Sequence, residues 1–309
     1  MPDIVISEFM DEATVAELAS DYDVFYEPDL VDRPEDLKAA LAGARALIVR
    51  NRTQVTEELL AAGDSLCVIG RLGVGLDNID LPACEARGIP VCPAAGTNAV
   101  SVAEYVIAGI LMLRRGAYHA SDRVLAGDWP RIDFIGREVA GARLGLVGFG
   151  AIAREVAKRA LALDMRIAAY DPYVDGCDPI WQARGVTPQA LDPLLAESEV
   201  ISLHVPLTEE TRHLIDAPRL ARTRPDALLI NTARGGIVDT TALAEALEAG
   251  RLGGALLDVF EEEPLPSNSR LTKVPNLLLT PHIAGVTAES QVRISQATVA
   301  NVRRHLESP

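Results

Sequence analysis

The chain has 309 residues, 49% of them hydrophobic and 4% aromatic, and a formal net charge of −15. That length predicts two domains with separate cores, and the charge argues against nucleic acid or an anionic membrane as partner. No apolar run reaches the ~20 residues that a membrane span needs. Met1-Pro2-Asp3 leads straight into a strand pattern, so no signal peptide is expected. Cys67, Cys84, Cys92 and Cys177 lack C-x-x-C or Cys/His spacing, which predicts reduced thiols, no metal and a cytoplasmic protein.

From Ile4 to about Thr97, short apolar runs alternate with helical patterns. Strands are expected at Ile4-Val5-Ile6, Val24-Phe25-Tyr26, Ala46 to Val49, Cys67-Val68-Ile69 and Pro90-Val91-Cys92. Helices are expected from Glu12 to Ala19 and from Pro34 to Ala42, the second opening on proline, and Thr56 is placed to cap a third. Regular alternation predicts an α/β fold with a parallel, doubly wound sheet. Two loops follow its strands, Arg50-Asn51-Arg52-Thr53 and Arg71 to Asn78, at the carboxyl ends where such sheets bind ligands. Gly73 and Gly75 bring backbone N–H groups into the open, a nest suited to a carboxylate. One arginine alone reads as a solvated charge; Arg50, Arg52 and Arg71 together point to an anionic ligand.

Asn98 to Arg115 is apolar nearly all round, which predicts a buried helix between the domains. A second run of strands and helices then begins. Arg143 to Ala153 reads as strand, glycine turn and helix (to about Leu163), followed by a strand ending in Asp171. This is G-x-G-x-x-A within a βαβ unit. Gly148 permits the tight turn, Gly150 lets backbone approach a pyrophosphate, and Ala153 is small enough for helix to pack on strand. Asp171 stands where a carboxylate takes ribose hydroxyls, and Pro172-Tyr173-Val174 offers no cation for a 2′-phosphate, so NAD is favoured over NADP. Further strands are expected at Glu199 to Leu203, Ala227 to Asn231, Gly253 to Asp258 and Asn276 to Thr280. A last helix, Thr287 to Leu306, has no strand after it and is expected to return to the first domain.

Three polar residues fall just past strand ends: Arg234, Glu263 and His282. Oxidising an alcohol with NAD needs a base for the hydroxyl proton, a group that favours the base's protonated form, and a cation that orients the substrate. Histidine, carboxylate and arginine suit these roles in that order. Each alone reads more readily as structural: a histidine after a strand, a solvated acidic loop, an arginine at a helix end; it is the three together that point to this chemistry.

The ordered motifs resemble the D-isomer-specific 2-hydroxyacid dehydrogenases over nearly the whole chain. They are Gly70 to Asp80, Val102-Ala103-Glu104, Leu144 to Ala153, His204 to Thr208, Asn231 to Gly236, Asp258-Val259-Phe260 with Glu263-Pro264, and Thr280 to Ile283. The resemblance implies that His282 is the acid/base, Glu263 its partner and Arg234 the orienting cation. It implies that Asp258 and the Ala233 carbonyl hold the nicotinamide carboxamide, and that Phe149, Ala151, Ile152, His204, Pro206, Thr211 and Gly285 also line the cofactor. Backbone at Gly73, Val74 and Gly75 would take the substrate carboxylate.

It further implies a split substrate domain, 1–97 completed by 283–309, with an NAD-binding Rossmann domain, 98–282, inserted, and a homodimer. The extra regulatory domain of some phosphoglycerate dehydrogenases is not expected. The Arg50-Asn51-Arg52 stretch resembles its counterpart in phosphoglycerate dehydrogenases. Met1 to Met10, together with Val49 to Val55, is also similar to sulfolactate dehydrogenases, so a substrate with a second anion is expected, 3-sulfolactate before 3-phosphoglycerate. An NAD-sensing corepressor of the same fold is the alternative from another class.

Overall fold

The computed structural model describes residues 1–116 and 120–307; the expected 98–282 and 283–309 segments include a few positions, 117–119 and 308–309, outside them. The chain divides into two units, Met1–Asn98 with the segment from Val286 onward, and Ala99–Gly285. The first is built on five parallel strands: β1 (Ile4–Ile6), β2 (Val24–Tyr26), β3 (Ala46–Val49), β4 (Val68–Arg71) and β5 (Val91–Pro93), in the order β2-β1-β3-β4-β5. Helices α1 (Glu12–Leu18), α2 (Pro34–Leu41), α3 (Glu57–Ala61) and α4 (Leu81–Ala86) connect them. Asp11, Thr56 and Asp80 cap α1, α3 and α4 through their side-chain oxygens, each such cap contributing about 1 kcal/mol.

Side chains alternate across the sheet, as the strand period demands. Val5, Leu47 and Ile69 enter one core with Leu37 and Leu60. Ile4, Ile6, Ile48 and Val68 enter the other, where the C-terminal helix Ala288–Glu307 lays down Ile294, Val299, Val302 and Leu306. Full burial of each such side chain stabilises by about 1.5–3 kcal/mol. Gly70 makes the approach possible, since a Cβ there would stand 2.7 Å from Val302 Cγ2 and 2.8 Å from Thr298 Cγ2.

The second unit begins with α5 (Ala99–Arg115) and α6 (Ala120–Leu125). Its seven parallel strands are β6 (Arg143–Val147), β7 (Arg166–Tyr170), β8 (Thr187–Pro188), β9 (Val200–Leu203), β10 (Leu228–Asn231), β11 (Gly254–Leu257) and β12 (Leu277–Leu279). They lie in the order β12-β11-β10-β9-β6-β7-β8. The helices between them are α7 (Ala151–Leu161), α8 (Pro179–Ala183), α9 (Leu191–Glu197), α10 (Ala217–Leu220) and α11 (Thr240–Glu248); the C-terminal helix is therefore α12. One core gathers Leu144, Leu146, Val156 and Ile230, the other Val147, Ile201, Leu229 and Leu243, so the sheet is covered on both faces.

The sequence reading overstated the burial of α5. The helix buries one face, Val102, Ala103, Val106 and Ile110, against this unit's own core, and leaves Val100, Leu111 and Met112 exposed. Valine, leucine and methionine on that face are apolar without being covered, and composition cannot separate the two.

Candidate active site

Parallel strands place their carboxyl ends along one edge, neighbours ~4.8 Å apart. Across the second sheet the tips present, in order, His282 after β12, Asp258 and Glu263 after β11, Ala233 and Arg234 after β10, His204 after β9, the glycine turn after β6 and Asp171 after β7. Residues scattered over 135 positions of sequence thus become one row.

The glycine turn fits a dinucleotide. Gly148 adopts φ 90°, and a Cβ there would meet the His204 carbonyl oxygen at 2.7 Å. A Cβ on Gly150, at the start of α7, would meet nothing within 4 Å, and no side chain caps that helix. The first turn of an 11-residue helix therefore keeps its N–H groups for a phosphate. Asp171 accepts hydrogen bonds from Phe149 N (2.8 Å) and Tyr173 N (2.9 Å), which orient its carboxylate beside the turn. Some residues of the expected cofactor lining have other duties. The Phe149 side chain is buried and stacks on Trp181, with centroids 4.6 Å apart, leaving only its backbone at the turn. Thr211 bonds the Pro206 carbonyl at 2.6 Å within its own loop. The His204 ring shares a 2.9 Å hydrogen bond with Ser202, and burial pushes its imidazole down to about 4.

At the other end of the row, His282 Nδ1 lies 2.9 Å from Glu263 Oε2, and Glu263 Oε1 accepts from Phe260 N at 3.0 Å. Against a carboxylate Nδ1 carries the hydrogen, so Nε2 presents its lone pair outward when the ring is neutral. The pair is about half exposed, as a site that admits substrate must be. His282 itself has φ 55°, an uncommon conformation for a residue with a side chain. Asp258, 1% exposed, holds that turn in place: Oδ1 accepts Thr280 Oγ1 (2.6 Å) and Ile283 N (2.9 Å), Oδ2 accepts Ala284 N (2.8 Å). One Oδ2 lone pair remains, enough for a carboxamide N–H. Tyr105, from α5, bonds Thr280 Oγ1 and extends the chain. The Arg234 loop rests directly on the Glu263 loop, because a Cβ on Gly235 would overlap the Phe260 carbonyl carbon. Arg234 also donates to the Ala233 carbonyl at 2.7 Å. Neither Thr280 nor Tyr105 was given a role from sequence; Thr280 only opens the motif that carries His282.

The first unit has its own row. Gly73, at φ 144°, is packed so closely by the Arg71 guanidinium that a Cβ would overlap Arg71 Nη1, which sets a cation beside the expected carboxylate nest at Val74 and Gly75. Glu8, 3% exposed after β1, accepts from the backbone N–H groups of Arg50 (2.9 Å), Asn51 (3.3 Å), Arg52 (3.1 Å) and Thr53 (2.9 Å). The Arg50 guanidinium donates to Gln291 Oε1 at 2.6 Å and lies 5.9 Å above the Phe9 ring. Arg52, expected to face an anion, is instead ion-paired with Asp32. A cavity of ≈380 Å³ opens over Arg50, Asn51 and Arg52, with Phe9, Asp29 and Gln291 in its wall. Glu8 and Gln291 were not singled out from sequence. Among the described residues no cluster could hold a metal ion, and all four cysteines are free.

A glycine turn aimed at a phosphate, an acid beyond the next strand and a histidine–carboxylate pair on the same edge define a dinucleotide-dependent dehydrogenase. Residues 107–284 match the family model described as D-isomer specific 2-hydroxyacid dehydrogenase, NAD binding domain. The chain is 58% identical to the (S)-sulfolactate dehydrogenase of Chromohalobacter salexigens over 306 residues, covering 99% of each. It is 42% identical to the D-3-phosphoglycerate dehydrogenase of Synechocystis over 84% of this chain, but spans only 46% of that relative's length. It superposes on the D-lactate dehydrogenase of Aquifex aeolicus, solved with NAD and lactic acid, at TM-score 0.81 and 32% identity, covering 98% and 95% of the two chains. The chain belongs to the NAD-binding D-isomer specific 2-hydroxyacid dehydrogenases.

Proposed function

We propose that the protein interconverts (S)-sulfolactate and 3-sulfopyruvate. The His282–Glu263 pair at 2.9 Å, standing on the nucleotide edge of the sheet, carries the chemistry. The likeness to a sulfolactate dehydrogenase over essentially the full chain, together with Arg50 at an open cavity, supports the substrate. His282 Nε2 takes the hydroxyl proton as the C2 oxygen becomes a carbonyl, and returns it in the reverse direction. Glu263 holds the imidazole and stabilises the charge it gains. Arg234 orients the C2 oxygen and carboxylate with its planar fork. When bound, the oxidised nicotinamide supplies the acceptor for the C2 hydride. Gly148, Gly150 and α7 receive the pyrophosphate, Asp171 the ribose, and Asp258 with the Ala233 carbonyl the carboxamide. In the first unit, Gly73, Val74 and Gly75 take the carboxylate, and Arg50, flanked by Asn51 and Arg52, takes the C3 sulfonate.

Rates on sulfolactate, 3-phosphoglycerate, glycerate and lactate test the reading. Sulfolactate should lead by at least about tenfold in kcat/KM, the worth of one charge-assisted contact. Lactate in first place would overturn it. A reducing compartment suits the four free cysteines, and we place the enzyme in the cytoplasm. A second copy of the chain is the partner that suits α6 and the segment after it, where Leu125, Trp129, Ile132 and Ile135 are each at least 74% exposed.

A further inference from the structure

The loop Arg50–Thr53 carries a cation to the cavity but has no regular structure of its own. Something must fix it, because an arginine on a wandering loop loses the advantage of a preorganised site. Buried Glu8 stands under the loop and accepts from all four of its backbone N–H groups. From the opposite side Asn78 Nδ2 donates to the Arg50 carbonyl at 3.3 Å and the Thr53 carbonyl at 2.7 Å. The loop is thus clamped at its donors and at its acceptors.

The guanidinium is held as well. Gln291, in the first turn of α12, accepts from Arg50 Nη1, and the Phe9 face lies beneath the cation. Burial alone would raise the Glu8 carboxyl, but the N–H groups of Thr53, Arg50 and Arg52 outweigh it and hold the carboxyl below its ordinary range. Burial also pulls the Arg50 guanidinium down, and the charge of Glu8 only partly opposes this. A half-buried cation in that condition gains from an arriving anion. Arg52 is already matched by Asp32.

We propose that Glu8 is a positioning residue for substrate selection: through the Arg50–Thr53 loop it sets where the Arg50 guanidinium stands, and Gln291 completes the hold from α12. Arg50, rather than Arg52, then meets the C3 anion. This rests on the reading that the cavity receives that anion.

Three variants test it by steady-state kinetics with sulfolactate and NAD⁺. Glu8→Gln puts an NH₂ where N–H groups now donate, so the loop must shift. The KM for sulfolactate should rise by about tenfold or more, the value of a charge-assisted hydrogen bond, while the KM for NAD⁺ stays within about twofold. Gln291→Leu removes only the side-chain hold and should give the same split on a smaller scale; it keeps the test alive if Glu8→Gln does not fold. In an Arg50→Gln background either change should add little, because both act through Arg50. Equal rises in both KM values, a loss confined to kcat, or full additivity with Arg50→Gln would overturn the proposal. If Arg50→Gln itself leaves the sulfolactate KM unchanged, the cavity's assignment fails first.

Discussion

The two candidate ligand edges of this protein are built by opposite means. In the second unit the candidate groups are side chains and backbone of short motifs, each a few residues past its own strand: Gly148 and Gly150, Asp171, Arg234, Asp258 with Glu263, and His282. In the first unit the Arg50 cavity is assembled from remote pieces, with Glu8 after β1, the loop after β3, and Gln291 of α12, 283 positions beyond Glu8. Hydride chemistry demands fixed groups around one ring, so its residues recur in recognisable strings. An anion demands only a preorganised cation, and many tertiary arrangements supply one.

That contrast can be broken in steps. Losing the base is the severest. His282→Ala should lower kcat by about 10²–10⁴-fold while cofactor binding, followed by NADH fluorescence, changes little. Retention of full turnover would remove His282 from the role and leave the second unit no better defined than the first. Asp258→Asn is next. The amide must turn an NH₂ toward Thr280, Ile283 or Ala284, whose hydrogens now point at it. We expect a stability loss of about 2–3 kcal/mol in urea unfolding, together with weaker NAD binding. Stability without loss would mean that the turn carrying His282, at φ 55°, is held by something other than Asp258.

The smallest effect is one of pH. His204 falls from an ordinary 6.5 to about 4 in the folded protein because its ring is buried. The unfolded chain therefore binds a proton that the native state refuses. The resulting stability is complete above about pH 6.5 and is lost as pH falls toward 4, about 3 kcal/mol at most. Glu8, whose carboxyl is lowered, adds its own loss only below the ordinary glutamate value of 4.5. Urea midpoints measured between pH 7.5 and 4.5 should decline in the wild type and flatten in His204→Gln. An equal slope in both would show that His204 is not the source of the acid sensitivity.

Strand-end positions explain what was readable. Apolar runs bounded by glycine and proline located every strand but β8, a two-residue edge strand, to within a residue or two, and the parallel alternation followed, so sequence alone puts Asp171 and His282 on one edge. The same reasoning says nothing of a side chain's direction. Phe149 sits in the fingerprint yet turns into the core against Trp181, and Arg52 looks as available as Arg50 until Asp32 is brought beside it. Glu8 follows β1 directly and so shared the signal that exposed Arg50. An isolated glutamate, though, is far more often a solvated charge than a buried clamp.

By itself, then, the order of residues determined the doubly wound architecture and the dinucleotide turn, and it put His282 forward as the candidate acid/base group, because periodicity and strand-end motifs are local properties. Only the tertiary structure decided which partner each arginine of the loop meets, Gln291 for Arg50 and Asp32 for Arg52, and what holds the loop. Those contacts join residues 8, 50 and 291, and no local pattern records a separation of that kind; it exists once the sheet and α12 have packed.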